Sequence, residues 1–284
     1  MIRSVAALIL TSQMAFAQNA LPFASFVDAS DPVLNDPHDL AFGADGNLYI
    51  ADKFANRVVI MNPETLEIIG SIGDDALAGA HDVSFGPDGV LYVAATSLNA
   101  VLSFDLSGDT PVNKDALQPF FQTEGVLAHS NGRLYVMASG TGQLIGLEND
   151  NVVAVADGLT GAHDVAESPD GTIWVADNFR QRLVNFDQDL VQLNVLEDEK
   201  FGFVGPRFMS FDENGFLYVA DQDAHRVLKI DPRTNELLGI LGSGTPGEGP
   251  NLFDDPEGVA VRGADYYFSD SDNNRIVKYT VVLN

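Results

Sequence analysis

The chain has 284 residues, no cysteine, and 41 acidic against 15 basic side chains, which gives a formal net charge of −26 at pH 7. A surface this acidic repels nucleic acid and anionic lipid, so we expect neither as a partner, and it attracts cations. Because there are no cysteines to form disulfides, the stability of the fold depends on packing.

The first 17 residues have the pattern of a secretory signal peptide. Arg3 gives a positive start, residues 5–10 are almost all apolar, and Ala15-Phe16-Ala17 has the small-x-small pattern of a cleavage site before Gln18. Residues 18–284 are therefore expected to form one soluble domain in the periplasm or outside the cell. No later apolar run approaches the roughly 20 residues that a spanning helix needs, so we expect no membrane insertion.

A short apolar run with an aromatic residue recurs six times along the rest of the chain. The copies are Leu48-Tyr49-Ile50, Leu91-Tyr92-Val93, Leu134-Tyr135-Val136, Ile173-Trp174-Val175, Leu217-Tyr218-Val219 and Tyr266-Tyr267-Phe268. An Asp-Gly or Asn-Gly dipeptide, such as Asp45-Gly46, precedes most copies. Such a dipeptide between two apolar runs predicts a β-hairpin.

Each copy belongs to a unit of four predicted strands, which in the first unit cover residues 40–42, 48–52, 57–61 and 66–72. A four-stranded repeat of roughly 40 to 50 residues is typical of a propeller blade. Six such units fill the chain after the signal peptide, so the sequence predicts an all-β, six-bladed β-propeller of antiparallel blades. The last unit ends after its third strand, at 275–279, and residues 23–27 are expected to supply its missing edge.

In four units the second strand ends in an aspartate, and an arginine follows five residues later. These pairs are Asp52–Arg57, Asp177–Arg182, Asp221–Arg226 and Asp270–Arg275, whereas units two and three have Ala95 with Ala100 and Ala138 with Gln143. Because both partners are absent together, we expect a bidentate ion pair that joins neighbouring strands. We interpret these arginines as structural and not catalytic.

The repeating unit resembles the NHL repeat. The shared pattern is P-x-x-V-x-F-x-x-D-G-x-L-Y-V-A-D-x-x-x-x-R-V, and the glycine-rich lead-in of the last unit, LGSGTPGEGPNLFDDPEGVAV, is similar as well. The resemblance covers essentially all of residues 18–284 and implies a six-bladed propeller. It implies no single function, because NHL propellers include both binding scaffolds and enzymes.

One position in each unit lies eleven residues before the aromatic residue of the second strand, with one deletion in the last unit. It holds His38, His81, Glu124, His163, Arg207 and Glu257. In a closed propeller these positions, just before the innermost strands, form a ring at one mouth of the central channel. Imidazoles together with carboxylates are the ligands that a borderline divalent cation such as zinc prefers.

The candidate metal ligands are His38, His81 and His163. An aspartate follows each of them, at Asp39, Asp82 and Asp164. We expect each aspartate to accept the second ring N–H of a neighbouring histidine, and the alternative is that each caps the turn into its strand. One such histidine alone would be a packed structural residue, and the threefold repetition favours a site. Calcium is the alternative ion, suggested by Asp270-Ser271-Asp272-Asn273, although that run lacks the spacing of a calcium loop.

The histidine motifs are similar to those of peptidyl-α-hydroxyglycine α-amidating lyases, which are propellers whose histidines hold a catalytic zinc. Pro37-His38-Asp39-Leu40 matches their Pro-His-x-Leu pattern, and the motifs of His81 and His163 match it with alanine for proline. Virginiamycin-type lyases are similar propellers with a divalent cation at the channel mouth. The resemblance implies metal-dependent lyase chemistry, but the histidines here come from units one, two and four instead of alternating units.

The remaining ring residues suggest separate roles in proton transfer and substrate binding. Glu124 or Glu257 would transfer a proton, and Arg207 would hold a substrate carboxylate. We therefore expect a monomeric lyase or hydrolase that acts on a small anionic metabolite or a peptide end. The alternative is a non-catalytic propeller that binds a protein, a glycan or a small ligand, with Arg207 paired to Glu257.

Overall fold

The structure is a computed structural model that describes residues 21–73, 76–108, 112–117 and 120–281. The expected signal peptide, residues 1–17, lies outside the described residues. In the part of the chain that is described, no helix has both the length and the apolar character needed to cross a membrane.

The described strands form six antiparallel sheets of four strands each, and the sheets follow one another along the chain. The first strand is β1 (Ala24–Ala29). Blade one contains β2 (Pro37–Phe42), β3 (Leu48–Asp52), β4 (Arg57–Met61) and β5 (Ile68–Ile72). Blade two contains β6 (Ala80–Phe85), β7 (Leu91–Ala95), β8 (Ala100–Asp105) and β9 (Val112–Leu117). Blade three contains β10 (Thr123–Ala128), β11 (Leu134–Ala138), β12 (Gln143–Glu148) and β13 (Asn151–Ala156).

The second half of the chain repeats this arrangement. Blade four contains β14 (Ala162–Glu167), β15 (Ile173–Asp177), β16 (Arg182–Phe186) and β17 (Gln192–Leu196). Blade five contains β18 (Pro206–Phe211), β19 (Leu217–Asp221), β20 (Arg226–Asp231) and β21 (Glu236–Leu241). Blade six contains β22 (Pro256–Arg262), β23 (Asp265–Asp270) and β24 (Arg275–Val281). One-turn 3₁₀ helices, Thr96–Leu98, Asn178–Arg180 and Gln222–Ala224, follow the second strands of blades two, four and five.

Blade six takes its fourth strand from the other end of the chain. β1 pairs antiparallel with β24, with Ala24 opposite Val281 and Phe26 opposite Tyr279. This pairing joins the two ends of the described fold and leaves β24 without an open edge. The predicted fold class and the predicted closure by an N-terminal strand are both confirmed.

The core lies between the blades. β3, β15 and β19 are buried at every position, since each second strand is covered by a neighbouring blade on both of its faces. Trp174 and Ala176 of blade four, for example, pack in one cluster with Met209 and Leu217 of blade five. Strands covered on both faces read as continuous apolar runs and not as alternating ones. This is why the six apolar runs were the clearest repeat in the sequence.

Each innermost strand carries a β-bulge at its first residues. In blade one the pairing moves from Pro37 opposite Asp52 to Leu40 opposite Ile50, so that His38 and Asp39 face one residue of β3. The same irregularity occurs in the innermost strands of the other five blades. A bulge turns side chains away from the regular strand alternation and is common beside functional sites. It occurs here at the ring position of every blade.

In blades one, four, five and six, the Asp–Arg pair connects the blade to the segment before its innermost strand. Asp177 is fully buried and lies opposite Arg182 in the β15–β16 ladder. Its Oδ2 accepts from Arg182 Nε at 2.7 Å, and its Oδ1 accepts from the backbone N–H of Thr160 at 2.6 Å. Thr160 lies three residues before His163, so the carboxylate fixes the approach to a ring residue.

In the other three pairs the aspartate also accepts from a backbone amide. Asp52, Asp221 and Asp270 accept from the backbone amides of Asn35, Val204 and Asp254, each three residues before a ring residue. The expected link between strands is therefore present, but the expected two-pronged contact is present only for Arg226, whose Nε and Nη2 both donate to Asp221 Oδ2. The second carboxylate oxygen is not available to arginine because it accepts backbone amides.

Replacing Asp177 with alanine should destabilise the fold by about 3 kcal/mol, because the change leaves the Arg182 guanidinium and a backbone amide without their buried partner. Chemical denaturation followed by the fluorescence of Trp174 measures the change in the free energy of unfolding. The control is Arg233→Ala, which breaks a surface pair of similar length, 2.8 Å to Asp231, and should cost less than about 1 kcal/mol. Equal costs for the two variants would contradict the role assigned to the buried carboxylate.

Candidate metal centre

The histidines predicted to converge do lie side by side at one mouth of the channel. The ring centroids of His38 and His81 are 4.4 Å apart, and those of His81 and His163 are 5.6 Å apart. Phe208, the residue after the ring position of blade five, packs against the rings of both His38 and His81. All three histidines are buried.

A backbone carbonyl sets the orientation of each imidazole. The Nδ1 atoms of His38, His81 and His163 lie 3.2, 2.8 and 2.7 Å from the carbonyl oxygens of Asp36, Glu124 and Gly161. Donation from Nδ1 to a carbonyl places the proton on Nδ1 and leaves Nε2 as a bare lone pair. The three Nε2 atoms are thereby prepared to accept a proton, a cationic donor or a metal ion.

Two of these histidines share one carboxylate. Glu124 Oε2 lies 2.6 Å from His81 Nε2 and 3.6 Å from His163 Nε2. The first distance is short, yet the buried His81 Nε2 makes no hydrogen bond of regular geometry. A lone pair and a carboxylate oxygen at this distance repel each other unless a positive charge lies near both.

The charge states of this group suit metal ligation. Burial lowers the pKa of His163 well below its usual range, so its imidazole is neutral at pH 7. For Glu124, burial opposes ionisation, but the neighbouring His81, His163 and Arg207 outweigh it and hold the pKa below its usual range. Metal ligands must be deprotonated, and the pKa shifts of His163 and Glu124 keep both side chains deprotonated at pH 7.

His38 lies beside His81, but its Nε2 contacts a different set of residues. Its Nε2 lies 2.9 Å from Lys53 Nζ and 3.0 Å from Glu257 Oε2. Burial lowers the pKa of His38 well below its usual range, and the positive charges of neighbouring residues add to this effect. Arg207 Nε lies 3.6 Å from the same oxygen of Glu257. The ring residues thus separate into His81, Glu124 and His163 on one side and His38, Arg207 and Glu257 on the other.

Several residues of this second side lie outside the ring position that the sequence predicts. Lys53 is one of them, and Gln222 is another, since its amide donates to Glu257 Oε1 at 3.0 Å. Both occupy the position directly after the second strand of their blade, where the other blades have Thr96, Ser139, Asn178 and Ser271. This second set of polar residues around the mouth could have been found by comparing the position directly after the second strand in all six units.

A cleft of about 340 Å³ opens over the second side of the mouth. Its lining includes Lys53 and Arg207 together with the carboxylates of Asp36, Asp255 and Glu257. The cleft is large enough for a small polar molecule, and its lining includes the ring residues Arg207 and Glu257 but not His81, Glu124 or His163.

The aspartates that follow the histidines have a different role from the two that were expected. Asp39, Asp82 and Asp164 accept from the backbone amides of Val83, Val126 and Met209, each on the innermost strand of the next blade. Because the bulge turns consecutive residues to different sides, the histidines point to the mouth and the aspartates line a channel cavity of about 270 Å³. The aspartates therefore join neighbouring blades, and the histidine Nδ1 atoms use backbone carbonyls instead.

These three aspartates titrate abnormally. Burial raises the pKa of Asp39 to about 6, and it raises the pKa values of Asp82 and Asp164 well above their usual range. Negative charge on the neighbouring aspartates opposes ionisation of Asp82 further. Ionised carboxylates in the channel therefore destabilise the folded state.

The run proposed for calcium has a structural role at its first residue. Asp270 Oδ1 accepts from the backbone N–H of Asp254, and Asp270 Oδ2 accepts from Arg275 at 2.8 Å and from the amide of Asn273 at 3.0 Å. Both oxygens of this carboxylate already accept hydrogen bonds, so Asp270 is part of the Asp–Arg pair that holds blade six together.

Asp82→Asn should stabilise the protein at pH 7.5 by at least about 1 kcal/mol, because the amide can still accept from Val126 without the buried charge. Because the pKa of Asp82 is higher in the folded than in the unfolded state, this carboxyl group lowers the free energy of unfolding as the pH rises from about 4 toward the folded pKa. Below about pH 4 the group is protonated in both states and has no such effect. The melting temperature should rise by about 2–4 °C or more at pH 7.5 and change little at pH 4.

The matched control is Asp150→Asn, which removes one charge from an exposed turn and should change the melting temperature little at either pH. A loss of stability for Asp82→Asn at pH 7.5, or a gain that is the same at pH 4, would show that the channel carboxylate is not destabilised by burial.

Comparisons with known proteins agree with this fold. A family model described as a domain of unknown function, DUF5074, matches residues 28–201. Over 157 residues the chain is 31% identical to a Caenorhabditis elegans protein described as a probable peptidyl-alpha-hydroxyglycine alpha-amidating lyase. This alignment covers 48% of the chain and 45% of that relative, so the chain matches less than half of the relative's length.

Solved propellers are similar over nearly the whole chain. Virginiamycin B lyase from Staphylococcus aureus has a TM-score of 0.65 at 13% identity, over 90% of this chain and 99% of that one. An auxiliary nutrient binding protein from Bacteroides thetaiotaomicron has a TM-score of 0.70 at 14% identity, over 87% of this chain and 69% of that one. At these identities the likeness shows a shared fold and no more.

Proposed function

The chain belongs to the family described as a domain of unknown function, DUF5074, and we propose that it is a metal-dependent lyase whose divalent ion is held by His81, Glu124 and His163. One observation carries the proposal. Three consecutive blades bring one ligand atom each to a common point, where all three atoms lie within 4.8 Å of one another. The three residues are up to 82 positions apart in sequence, and no single strand could present them together.

The chemistry of these donors fits a borderline divalent ion such as zinc. Two neutral imidazoles and one carboxylate are a common ligand set for such an ion, and three protein ligands leave a position for substrate. The unpartnered Nε2 of His81 is the strongest local support, because an ion near it and Glu124 would remove their repulsion. The backbone carbonyls at Nδ1 would hold the rings in place and keep the tautomer fixed.

When bound, the ion would supply Lewis-acid chemistry to a substrate oxygen or a water molecule. Residues of the chain would transfer the proton and orient the substrate. Glu257 is the ring carboxylate outside the ligand group, so it is the candidate to accept or return a proton. Arg207, whose buried Nε has no hydrogen-bond partner, would orient an anionic group of the substrate. Glu124 is a ligand in this account, so it would no longer serve as the proton carrier.

The proposal favours a lyase over a hydrolase because of the relative described as an amidating lyase, with which the chain shares 31% identity over half of its length. The charged side of the mouth favours a small polar substrate with an anionic group, or the end of a peptide. The signal-like N-terminal segment supports action in the periplasm or outside the cell. The identity of the ion is proposed from ligand type, with zinc ahead of calcium because two ligands are imidazoles.

A non-catalytic ligand-binding propeller is the second candidate, and one observation favours it. On the second side of the mouth the charged groups already pair with one another, since Arg207 lies 3.6 Å from Glu257 and Lys53 lies 2.9 Å from His38. Such pairing is what the binding alternative expects of the ring residues. Metal content separates the two candidates.

Purified protein should hold one equivalent of a divalent transition metal, and His81→Ala or His163→Ala should each lose at least about nine tenths of it. Elemental analysis of the dialysed proteins measures the metal, and circular dichroism checks that each variant is folded. His38→Ala should keep its metal, because His38 faces Lys53 and Glu257 instead of the ligand group.

The matched control is His225→Ala, which changes a partly exposed histidine that contacts Asp254 and the backbone of Asp255 and is not part of the proposed ligand group. Its metal content should equal that of the unaltered protein. A folded protein with no bound transition metal, or variants of His81 and His163 with undiminished metal, would exclude the proposed lyase and favour the binding propeller.

A further inference from the structure

The six ring residues repeat with a period of three blades. In order they are His38, His81 and Glu124, followed by His163, Arg207 and Glu257. A rotation by three blades therefore matches His38 with His163 and Glu124 with Glu257, and it places Arg207 where His81 stands. Each glutamate is followed by a glycine, because a Cβ on Gly125 or Gly258 would collide with the carbonyl oxygen of the histidine on the next blade.

The distances repeat in the same way. Glu124 Oε2 lies between the ring residues of the preceding and following blades, 2.6 Å from His81 and 3.6 Å from His163. Glu257 Oε2 likewise lies 3.6 Å from Arg207 and 3.0 Å from His38. The two matched histidines also share their Nδ1 contact, since each lies near the carbonyl of the residue two positions before it. The histidine and the glutamate of each half are thus placed equivalently, whereas Asp36 of the second half has Gly161 at its matching position.

We infer that the second half is a divalent-cation site whose cation is replaced in this protein by the ammonium group of Lys53. Its ligand atoms are those of Asp36, His38 and Glu257, which lie within 4.8 Å of one another. Lys53 Nζ lies 2.9 Å from His38 Nε2 and 3.6 Å from Asp36 Oδ2, among the atoms that would hold the ion.

Glu257 gives independent support for a ligand at this point. The residue is 1% exposed, and its Oε2 points toward His38 but has no hydrogen-bond partner. Lys53 donates to His38, so the His38 lone pair is satisfied while the carboxylate oxygen beside it is not. A divalent ion would satisfy both, and the imidazole with two carboxylates would favour zinc or a similar borderline ion.

The difference between the two halves lies in their own positive charges. The second half contains Lys53 and Arg207, whereas the matching positions of the first half are Asn178 and His81. Asn178 is neutral, and its buried Nδ2 has no hydrogen-bond partner. A fixed ammonium beside the ligand atoms repels an incoming dication, so the protein would hold an ion in the first half only. In this respect the inference rests on the proposed function.

The direct test removes the two cations of the second half. Lys53→Met combined with Arg207→His should increase the zinc bound per chain by one equivalent relative to the unaltered protein, as measured by elemental analysis after dialysis against zinc and then buffer. Lys53→Arg, which keeps the positive charge, should show no increase. Adding His38→Ala to the double variant should remove the additional equivalent. No increase in the double variant, or an increase that survives His38→Ala, would overturn the inference.

A reciprocal variant tests the same idea in the first half and does not depend on the folding of the double variant. Asn178→Lys places an ammonium at the position that matches Lys53, and it should lower bound zinc by at least tenfold. Undiminished zinc in a folded Asn178→Lys protein would contradict the equivalence of the halves.

The zinc content of the two proteins distinguishes failure of the proposed lyase site from failure of the inference about the second half. If the unaltered protein binds no zinc but the double variant binds one equivalent, the proposed lyase site fails and the inference stands. If the unaltered protein and the double variant each bind one equivalent, the proposed site stands and the inference fails.

Discussion

The pairing of β1 with β24 is the constraint on which the rest of the molecule depends. It closes the circle of blades and so brings blade six against blade one. At that junction the hydroxyl of Ser271 donates to the carbonyl of Pro37 at 2.6 Å, and Ser269 donates to the carbonyl of His38 at 2.5 Å. His38 and Glu257 are distant in sequence, yet closure places their side chains 3.0 Å apart.

Two local features, a β-bulge and a buried aspartate, then position the side chains of the site. The bulge at the start of each innermost strand directs one residue to the mouth and the next to the channel. The buried aspartate of the Asp–Arg pair holds the segment before that bulge through a backbone amide, as Asp177 holds Thr160. Blades two and three lack this pair, and a neutral contact, the hydroxyl of Thr96 donating to the carbonyl of Thr123 at 2.8 Å, holds the start of the innermost strand of blade three. Stability and function are therefore linked, since the same carboxylates that join strands also place the ring residues.

The fold and the ring positions could be predicted from sequence because they depend on features that repeat. The apolar runs around Tyr49 and its counterparts fix the blades, and a constant spacing fixes the ring. The partners of Asp39, Asp82 and Asp164 could not be predicted, because the acceptors and donors involved are backbone atoms of the next blade. The division of the ring residues into two groups could also not be predicted from the sequence. It depends on side-chain directions, above all on that of Lys53, which occupies a variable position of the repeat motif and contacts His38.

The position of a bound ion is the central claim of this account, and anomalous diffraction from a crystal grown with zinc tests it most directly. We expect one strong peak within bonding distance, about 2.0–2.2 Å, of His81 Nε2, His163 Nε2 and Glu124 Oε2. A peak in the channel among Asp39, Asp82 and Asp164, or no peak at the mouth of a fully zinc-saturated crystal, would contradict it.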